Sequence, residues 1–180
     1  SHARLALERS PGTAHLLLSS IALTRRDVAT AEREAKLAME DSVRQPDAAV
    51  QLARVLVATG RLGEAVSLLD ATKRETANLG AVDDLDFVRG DALARMERFP
   101  EAERAFEDEI RAHPKKLEVY ARLSILQLTQ GRPADAERSL ERMVAANPTR
   151  RAALFAADTC RVTDNPAGER AWRGRAARLR

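Results

Sequence analysis

Aromatic residues make up only 3% of this sequence of 180 residues. β-Branched residues are sparse as well, whereas the strong helix formers Ala, Leu, Arg and Glu are abundant. Hydrophobic residues still account for 44% of the chain, which is enough to build a core. The composition therefore predicts an all-α fold.

Long apolar runs are also missing. No stretch approaches the roughly 18–20 uninterrupted apolar residues of a membrane-spanning helix, so we predict no transmembrane segment. Residues 1–10 lack the apolar core of a signal peptide. The only cysteine, Cys160, excludes an internal disulfide and is expected to be a packed, buried side chain. We expect a piece of a longer protein, so the sequence does not separate a cytoplasmic from a periplasmic location.

Residue patterns that carry catalysis or hold cofactors are missing too. The three histidines stand far apart, and neither a Gly-rich phosphate loop nor a nucleophile elbow occurs. We interpret Asp83 and Asp84 as caps at a helix start. The acidic run at 107–109 is interpreted as the middle of an exposed helix with Arg side chains nearby. We therefore expect no enzyme activity, no catalytic residue, no cofactor and no metal.

An internal repeat organises the sequence. Similar segments begin at Ala31, Ala65, Ala102 and Ala136, and a weaker copy begins at Ala171. An apolar helical stretch and a turn signal precede each of the first four alanines. The spacing matches a period of about 34 residues, which two helices of about 13 residues and two short turns fill. The small residues are predicted to lie where the two helices of each pair cross closely.

Two departures from the period carry information. Three extra residues separate the second and third copies, which predicts a longer second helix or a longer loop near residues 77–80. The last copy is polar, so Pro166–Leu179 is interpreted as a capping helix that Trp172 packs down. Residues 3–9 are interpreted as the remnant of a preceding second helix.

The repeat resembles the tetratricopeptide repeat, whose pattern ends in A-x3-F and a proline. The third copy matches it with Gly90, Leu93, Ala102, Phe106 and Pro114. Four copies in phase cover residues 12–148. The resemblance implies an all-α, right-handed α-solenoid of antiparallel helix pairs, with about four full repeats and a C-terminal capping segment.

We predict a single solenoid over residues 1–180. Its expected parts are the helix remnant 1–11, repeats at 12–45, 46–82, 83–116 and 117–150, and a degenerate repeat or cap at 151–180.

The resemblance also implies a binding site, because the first helices of such arrays line a concave groove. A Lys/Asn/Arg clamp for chaperone tails is not matched, since Asp84 and Glu118 are acidic where that clamp is not. Phe87 and Ile125 are predicted as apolar anchors. The predicted groove residues are Asp47, Val50, Gln51, Arg54, Asp84, Phe87, Asp91, Glu118, Arg122 and Ile125.

The net charge of +3 is unevenly distributed, because residues 150–180 hold eight Arg against three acidic residues. This basic end suggests contacts with the phosphates of RNA or an anionic membrane. Phe155 and Trp172 are its only aromatics, so it has no stacking platform, and a nucleic-acid partner is not expected.

The sequence therefore predicts a non-catalytic scaffold or adaptor that binds a peptide or partner helix in its groove. The Arg- and Ala-rich composition suggests a fragment of a larger bacterial protein. One alternative is a regulatory module of a multidomain enzyme or transcription regulator. Another is an RNA- or membrane-associated protein that uses its Arg-rich C-terminus. Homo-oligomerisation through the repeat ends stays open.

Overall fold

The computed structural model describes residues 11–40 and 45–179. This part of the chain forms ten α-helices and no strand, so the predicted all-α fold is confirmed. The predicted helix remnant at residues 3–9 lies outside the described residues. The helices are α1 (Pro11–Thr24), α2 (Val28–Met39), α3 (Gln45–Ala58), α4 (Leu62–Glu75), α5 (Leu85–Arg95), α6 (Phe99–Ala112), α7 (Leu117–Thr129), α8 (Pro133–Ala146), α9 (Arg150–Val162) and α10 (Pro166–Ala176).

The contacts between helices divide the chain into an N-terminal unit, residues 1–98, and a C-terminal unit, residues 99–180. Within the N-terminal unit, each of the helices α1 to α5 packs on the next, and α3 also packs on α1 and α5. Within the C-terminal unit, α6 to α10 pack in the same successive way, and α7 also packs on α9. The odd-numbered helices are called first helices below, and the even-numbered ones second helices.

A residue with a left-handed backbone follows the end of every described first helix. The amide of the next residue donates to the carbonyl five residues earlier, as from Arg61 to Leu56 at 2.9 Å. This is the Schellman arrangement, which satisfies the last carbonyls of a helix and starts a sharp turn. The five residues are Arg26, Gly60, Glu97, Gly131 and Asp164, with φ of 62°, 77°, 60°, 71° and 53°.

The positions that the repeat predicts for close packing are buried. Each alanine lies near the start of a second helix, where a small side chain lets neighbouring helices approach. The residue one turn later is buried with it, and it is larger in three of the four copies. The buried alanines are Ala31, Ala65, Ala102 and Ala136, and the residues one turn later are Ala35, Leu69, Phe106 and Leu140.

The last second helix follows a different alignment from the predicted one. Helix α10 starts at Pro166 as helix α8 starts at Pro133, so these two prolines are equivalent positions of the repeat. Ala171 is exposed, so its alignment with the buried alanines is wrong. The position equivalent to Ala136 is Glu169, because its amide donates to the residue before Pro166 as the amide of Ala136 donates to the residue before Pro133. The small residue beside it, Gly168, is closely packed, since a Cβ there would lie 2.9 Å from the sulfur of Cys160.

The predicted burial of Trp172 and Cys160 is confirmed. Trp172 is 3% exposed, and the guanidinium of Arg175 lies 5.0 Å from the centre of its ring. Cys160 is 2% exposed, and burial raises the pKa of its thiol to about 11. A thiol held protonated in this way is a packing residue and a poor nucleophile.

The three extra residues between the second and third copies lie in a loop. Helix α4 ends at Glu75 and has 14 residues, as α6 and α8 have. The insertion therefore lengthens the segment 76–84 before α5 and leaves the second helix unchanged.

Two ion pairs with the same spacing connect consecutive second helices. Arg61, at the start of α4, reaches Glu32 of α2 at 3.0 Å. Arg132, at the start of α8, reaches Glu103 of α6 at 2.9 Å. The separation along the sequence is identical in the two pairs, and each Arg also pairs with an acidic residue three positions further on. Sequence analysis missed them, although the shared spacing of Glu and Arg was visible.

The acidic run at 107–109 is only partly exposed. Asp108 pairs with Arg111 at 2.8 Å, as expected for a helix surface. Glu109, however, is 2% exposed and lies 3.0 Å from the amine of Lys116. The interpretation of Glu109 as an exposed residue was therefore wrong. Its carboxylate is buried because a Lys seven residues later supplies the opposite charge.

Gly60 offers a test of the left-handed turn. Its φ is 77° and no atom lies within 4 Å of a Cβ built there, so Gly60→Ala adds backbone strain without a clash. We expect Gly60→Ala to lower the free energy of unfolding by about 1 kcal/mol. Gly63→Ala, in helix α4 with equally open space, should raise it by about 0.5–1 kcal/mol. Urea denaturation followed by circular dichroism measures both, and equal effects of the two substitutions would contradict the turn assignment.

The Glu103 ion pair makes a pH dependence measurable. The hydrogen bond from Arg132 is the main cause that holds the pKa of Glu103 below its usual value, and Gln127 adds to it. A carboxyl group whose pKa is lower in the folded state than in the unfolded state stabilises the fold at pH values above its unfolded pKa. This stabilisation is lost as the pH falls through the folded-state pKa. We therefore expect the urea midpoint to fall between about pH 6 and pH 3, and to fall less in Glu103→Gln. Glu75→Gln, at an exposed site on α4, is the control and should match the wild type.

Candidate interaction groove

The structure places the predicted groove residues on first helices of both units. Asp47, Val50, Gln51 and Arg54 lie on α3, Asp84 lies directly before α5, and Phe87 and Asp91 lie on α5; all belong to the N-terminal unit. Glu118, Arg122 and Ile125 lie on α7 in the C-terminal unit.

Helices α1 and α3 and the segment before α5 form an open cavity of about 400 Å³, which we call the N-terminal groove. Five predicted residues line it, whereas Phe87 and Asp91 do not. Helix α1 and Asp83 supply the lining residues that sequence analysis missed. The repeat did contain the signal, because Leu16 and Ser20 precede Val50 and Arg54 by one period. The lining consists of Leu16, Ser20, Leu23, Thr24, Asp47, Val50, Gln51, Arg54, Asp83 and Asp84.

Gln51 is fixed in place by a short chain of hydrogen bonds. Its side-chain amide donates to the hydroxyl of Ser19 at 3.1 Å, and that hydroxyl donates to the carbonyl of Ala31 at 2.8 Å. Ser19 is fully buried, so the chain connects α3 through α1 to α2 inside the packed region. Gln51 therefore holds the floor of the groove in position.

Asp84 and Arg54 form an ion pair across the N-terminal groove. Asp84 occupies the position that precedes α5, but it has a left-handed backbone with φ of 62°, and its side chain makes no capping hydrogen bond. The interpretation of Asp84 as a helix cap was therefore wrong. Its carboxylate binds the guanidinium of Arg54 and so connects the start of α5 to α3.

The N-terminal groove combines apolar surface with a negative balance of charge. Three carboxylates line it against a single guanidinium, that of Arg54. Leu16, Leu23 and Val50 supply the apolar part, and the lining also holds two hydroxyl side chains. Such a cavity suits a chain segment that offers an apolar side chain beside a positive charge.

The C-terminal unit carries its own open surface on first helices. On α7, Glu118 and Arg122 are exposed and Ile125 is half-buried. Helix α9 packs beside α7, and one face of it forms an open cavity of about 510 Å³. We call this face the α9 patch. It consists of Arg150, Arg151, Leu154, Phe155 and Asp158.

The α9 patch continues the predicted binding positions into a segment that sequence analysis treated as a degenerate repeat or cap, and as a basic end suited to phosphates. Counted from the start of each helix, three patch residues on α9 occupy the positions that three predicted groove residues occupy on α7. Arg151 corresponds to Glu118, Phe155 to Arg122, and Asp158 to Ile125. Sequence analysis did not identify them because the last copy is offset by 33 residues, one fewer than the usual spacing.

No helix in the described ranges 11–40 and 45–179 combines the length and the hydrophobicity that crossing a membrane requires.

The repeated helix pairs, their turns and the surfaces on the first helices define an α-helical repeat protein. A model of the tetratricopeptide repeat-like domain matches residues 10–129, and a second tetratricopeptide repeat model matches residues 121–179. The chain belongs to the tetratricopeptide repeat family.

Solved structures share this fold at low sequence identity. TTC0263, a thermophilic tetratricopeptide repeat protein in Thermus thermophilus, superposes with a TM-score of 0.71 at 16% identity. The match covers 93% of this chain and 91% of the TTC0263 chain. PilW, a widely conserved type IV pilus biogenesis factor, gives a TM-score of 0.72 at 14% identity, with coverage of 94% and 79%. MamA from Desulfovibrio magneticus RS-1 gives 0.62 at 15% identity, with coverage of 94% and 95%. No curated protein sequence matches the chain.

The ion pair between Arg54 and Asp84 can be tested by a double-mutant cycle. We expect Arg54→Gln and Asp84→Asn to couple by about 0.5–1 kcal/mol in the free energy of unfolding, because both side chains are partly buried. The coupling should shrink when NaCl is raised from about 0.1 M to 1 M, since salt screens the charges. Urea denaturation of the four proteins gives the value, and additive effects would show that the pair does not hold α5 to α3.

Proposed function

We propose that the chain is a protein-interaction module whose N-terminal groove binds an extended segment of a partner protein. The bound segment carries Lys or Arg next to an apolar residue. The observation that carries this proposal is the lining of the groove, where three carboxylates surround an apolar floor.

The size and rigidity of the N-terminal groove support this kind of ligand. A cavity of about 400 Å³ is within the range of specific ligand sites and has room for a few side chains, not for a folded domain. The chain of hydrogen bonds through Gln51 and Ser19 holds the floor in one arrangement. A preorganised floor favours binding because little order remains to be imposed when the ligand arrives.

The family supports a binding function rather than catalysis. Tetratricopeptide repeats are generally non-catalytic, and they act by presenting surfaces to partner proteins. One structure with the same fold is that of a type IV pilus biogenesis factor, which agrees with the proposal of an adaptor. The partner chemistry proposed for this chain comes from its own groove residues.

Selection from a random peptide display library tests the proposal without a known partner. We expect the enriched peptides to contain Lys or Arg beside an apolar residue. Their affinity should fall about tenfold or more for the variant Ser20→Arg/Asp47→Arg, which places two positive charges at exposed positions of the groove.

The matched control is Ser67→Arg/Glu75→Arg, which also replaces one Ser and one acidic residue by Arg. Both positions are exposed and lie on α4. It should bind the selected peptides as the wild type does, and circular dichroism checks that both variants are folded. Peptides that bind both variants with equal affinity would place the site elsewhere. Enrichment of acidic peptides that depend on Asp47 would contradict the proposed charge.

A further inference from the structure

We propose that the α9 patch is a second docking surface, specific for an extended protein segment in which an acidic residue and an apolar residue stand two positions apart. The patch lies in the C-terminal unit and shares no residue with the N-terminal groove. This inference is therefore independent of the function proposed above.

A position that is acidic in the three preceding copies is basic at the α9 patch. One position on the first helices is acidic in three successive copies, at Asp47, Asp84 and Glu118, but it is Arg151 on α9. The position two helical turns later varies among the copies, as Arg54, Asp91, Ile125 and Asp158. A surface with the opposite charge selects a ligand of the opposite charge.

The α9 patch is positive because its acidic residue is compensated and its basic residues are not. Asp158 lies 3.6 Å from both Arg161 and Arg173. Arg150 and Arg151 are exposed, and neither has an ion pair with any residue in the described ranges. Two guanidinium groups therefore remain available to a carboxylate, which they can bind in a bidentate manner.

Apolar surface lies one turn further along the same helix face. Leu154 and Phe155 are half-buried and line the cavity of about 510 Å³ together with the two arginines. Neighbouring helix α7 contributes exposed Glu118 and Arg122, one charge of each sign, so it leaves the positive balance unchanged.

The spacing along α9 determines the spacing in the ligand. Arg151 and Phe155 are four residues apart on a helix, so their Cβ atoms lie about 6 Å apart on one face. In an extended peptide, side chains two residues apart point to the same side at about 6.5 Å. A segment of the form acidic–any–apolar therefore places its carboxylate on Arg151 and its apolar side chain on Phe155.

Defined peptides test this inference on the full chain. The probes are a Ser/Gly peptide with a central Glu-Ser-Phe, and two comparison peptides with Lys-Ser-Phe or Glu-Ser-Ser in its place. NMR titration of the labelled protein is expected to show binding of Glu-Ser-Phe, with shifts confined to α9 and its neighbours. The variant Arg150→Glu/Arg151→Glu should weaken this binding about tenfold or more and should bind Lys-Ser-Phe instead.

The control variant is Arg170→Glu/Arg178→Glu, which reverses two exposed arginines of the same unit outside the patch and should bind as the wild type does. The patch variant should fold well, because acidic residues are favoured in the first turn of a helix.

Several results would overturn the inference. One is equal binding of the Glu and Lys peptides, and another is no binding at all. A third is that a single-stranded oligonucleotide or phosphatidylglycerol vesicles bind more tightly than the Glu-Ser-Phe peptide, and that Phe155→Ser leaves this binding unchanged. That result would show that the patch binds phosphate groups. These outcomes do not depend on the display experiment, so they stand even where the N-terminal groove selects no peptide.

Discussion

The left-handed residue after each described first helix is the constraint on which the repeated architecture depends. The Schellman hydrogen bonds end the helix at that residue and fix where the next helix starts. That start places Arg61 and Arg132 against acidic residues of the preceding second helix. It also places a small residue four positions later, where Ala65 and Ala136 are buried. At Gly60 and Gly131, one backbone conformation thus positions the turn, the ion pair and the close packing together.

Much of this fold could be predicted because it repeats. The period of about 34 residues determined the expected helices and the buried alanines, since local periodicity alone decides them. Features that depend on one particular neighbour were missed. Glu109 is buried because Lys116 faces it. Ala171 is exposed because the last copy lies two residues out of the expected alignment, with Glu169 at the position of the buried alanines. Glu97 and the other left-handed residues that are not glycine carry no sequence signal of their own.

The candidate site was predictable to the same extent. The period identified the positions on α3 and α7, and the same period contained the positions on α1 that were not considered. The positions on α9 are offset by 33 residues, so the period missed them by one. The local charge balance followed less directly, because it depends on pairs such as Arg54 with Asp84 and Asp158 with Arg173. Once these pairs are known, the two surfaces differ in sign. The N-terminal groove is acidic and the α9 patch is basic, so the two proposals assign them segments of opposite charge.

Hydrogen exchange of the full chain, with and without a peptide selected for binding, tests most directly whether first helices carry the binding surface while second helices hold the fold together. Binding in the N-terminal groove should slow amide exchange in α1, α3 and the start of α5, and leave α8 and α10 unchanged. Slower exchange confined to second helices such as α2 and α4 would contradict this division of roles and place the binding surface on the other side of the repeat.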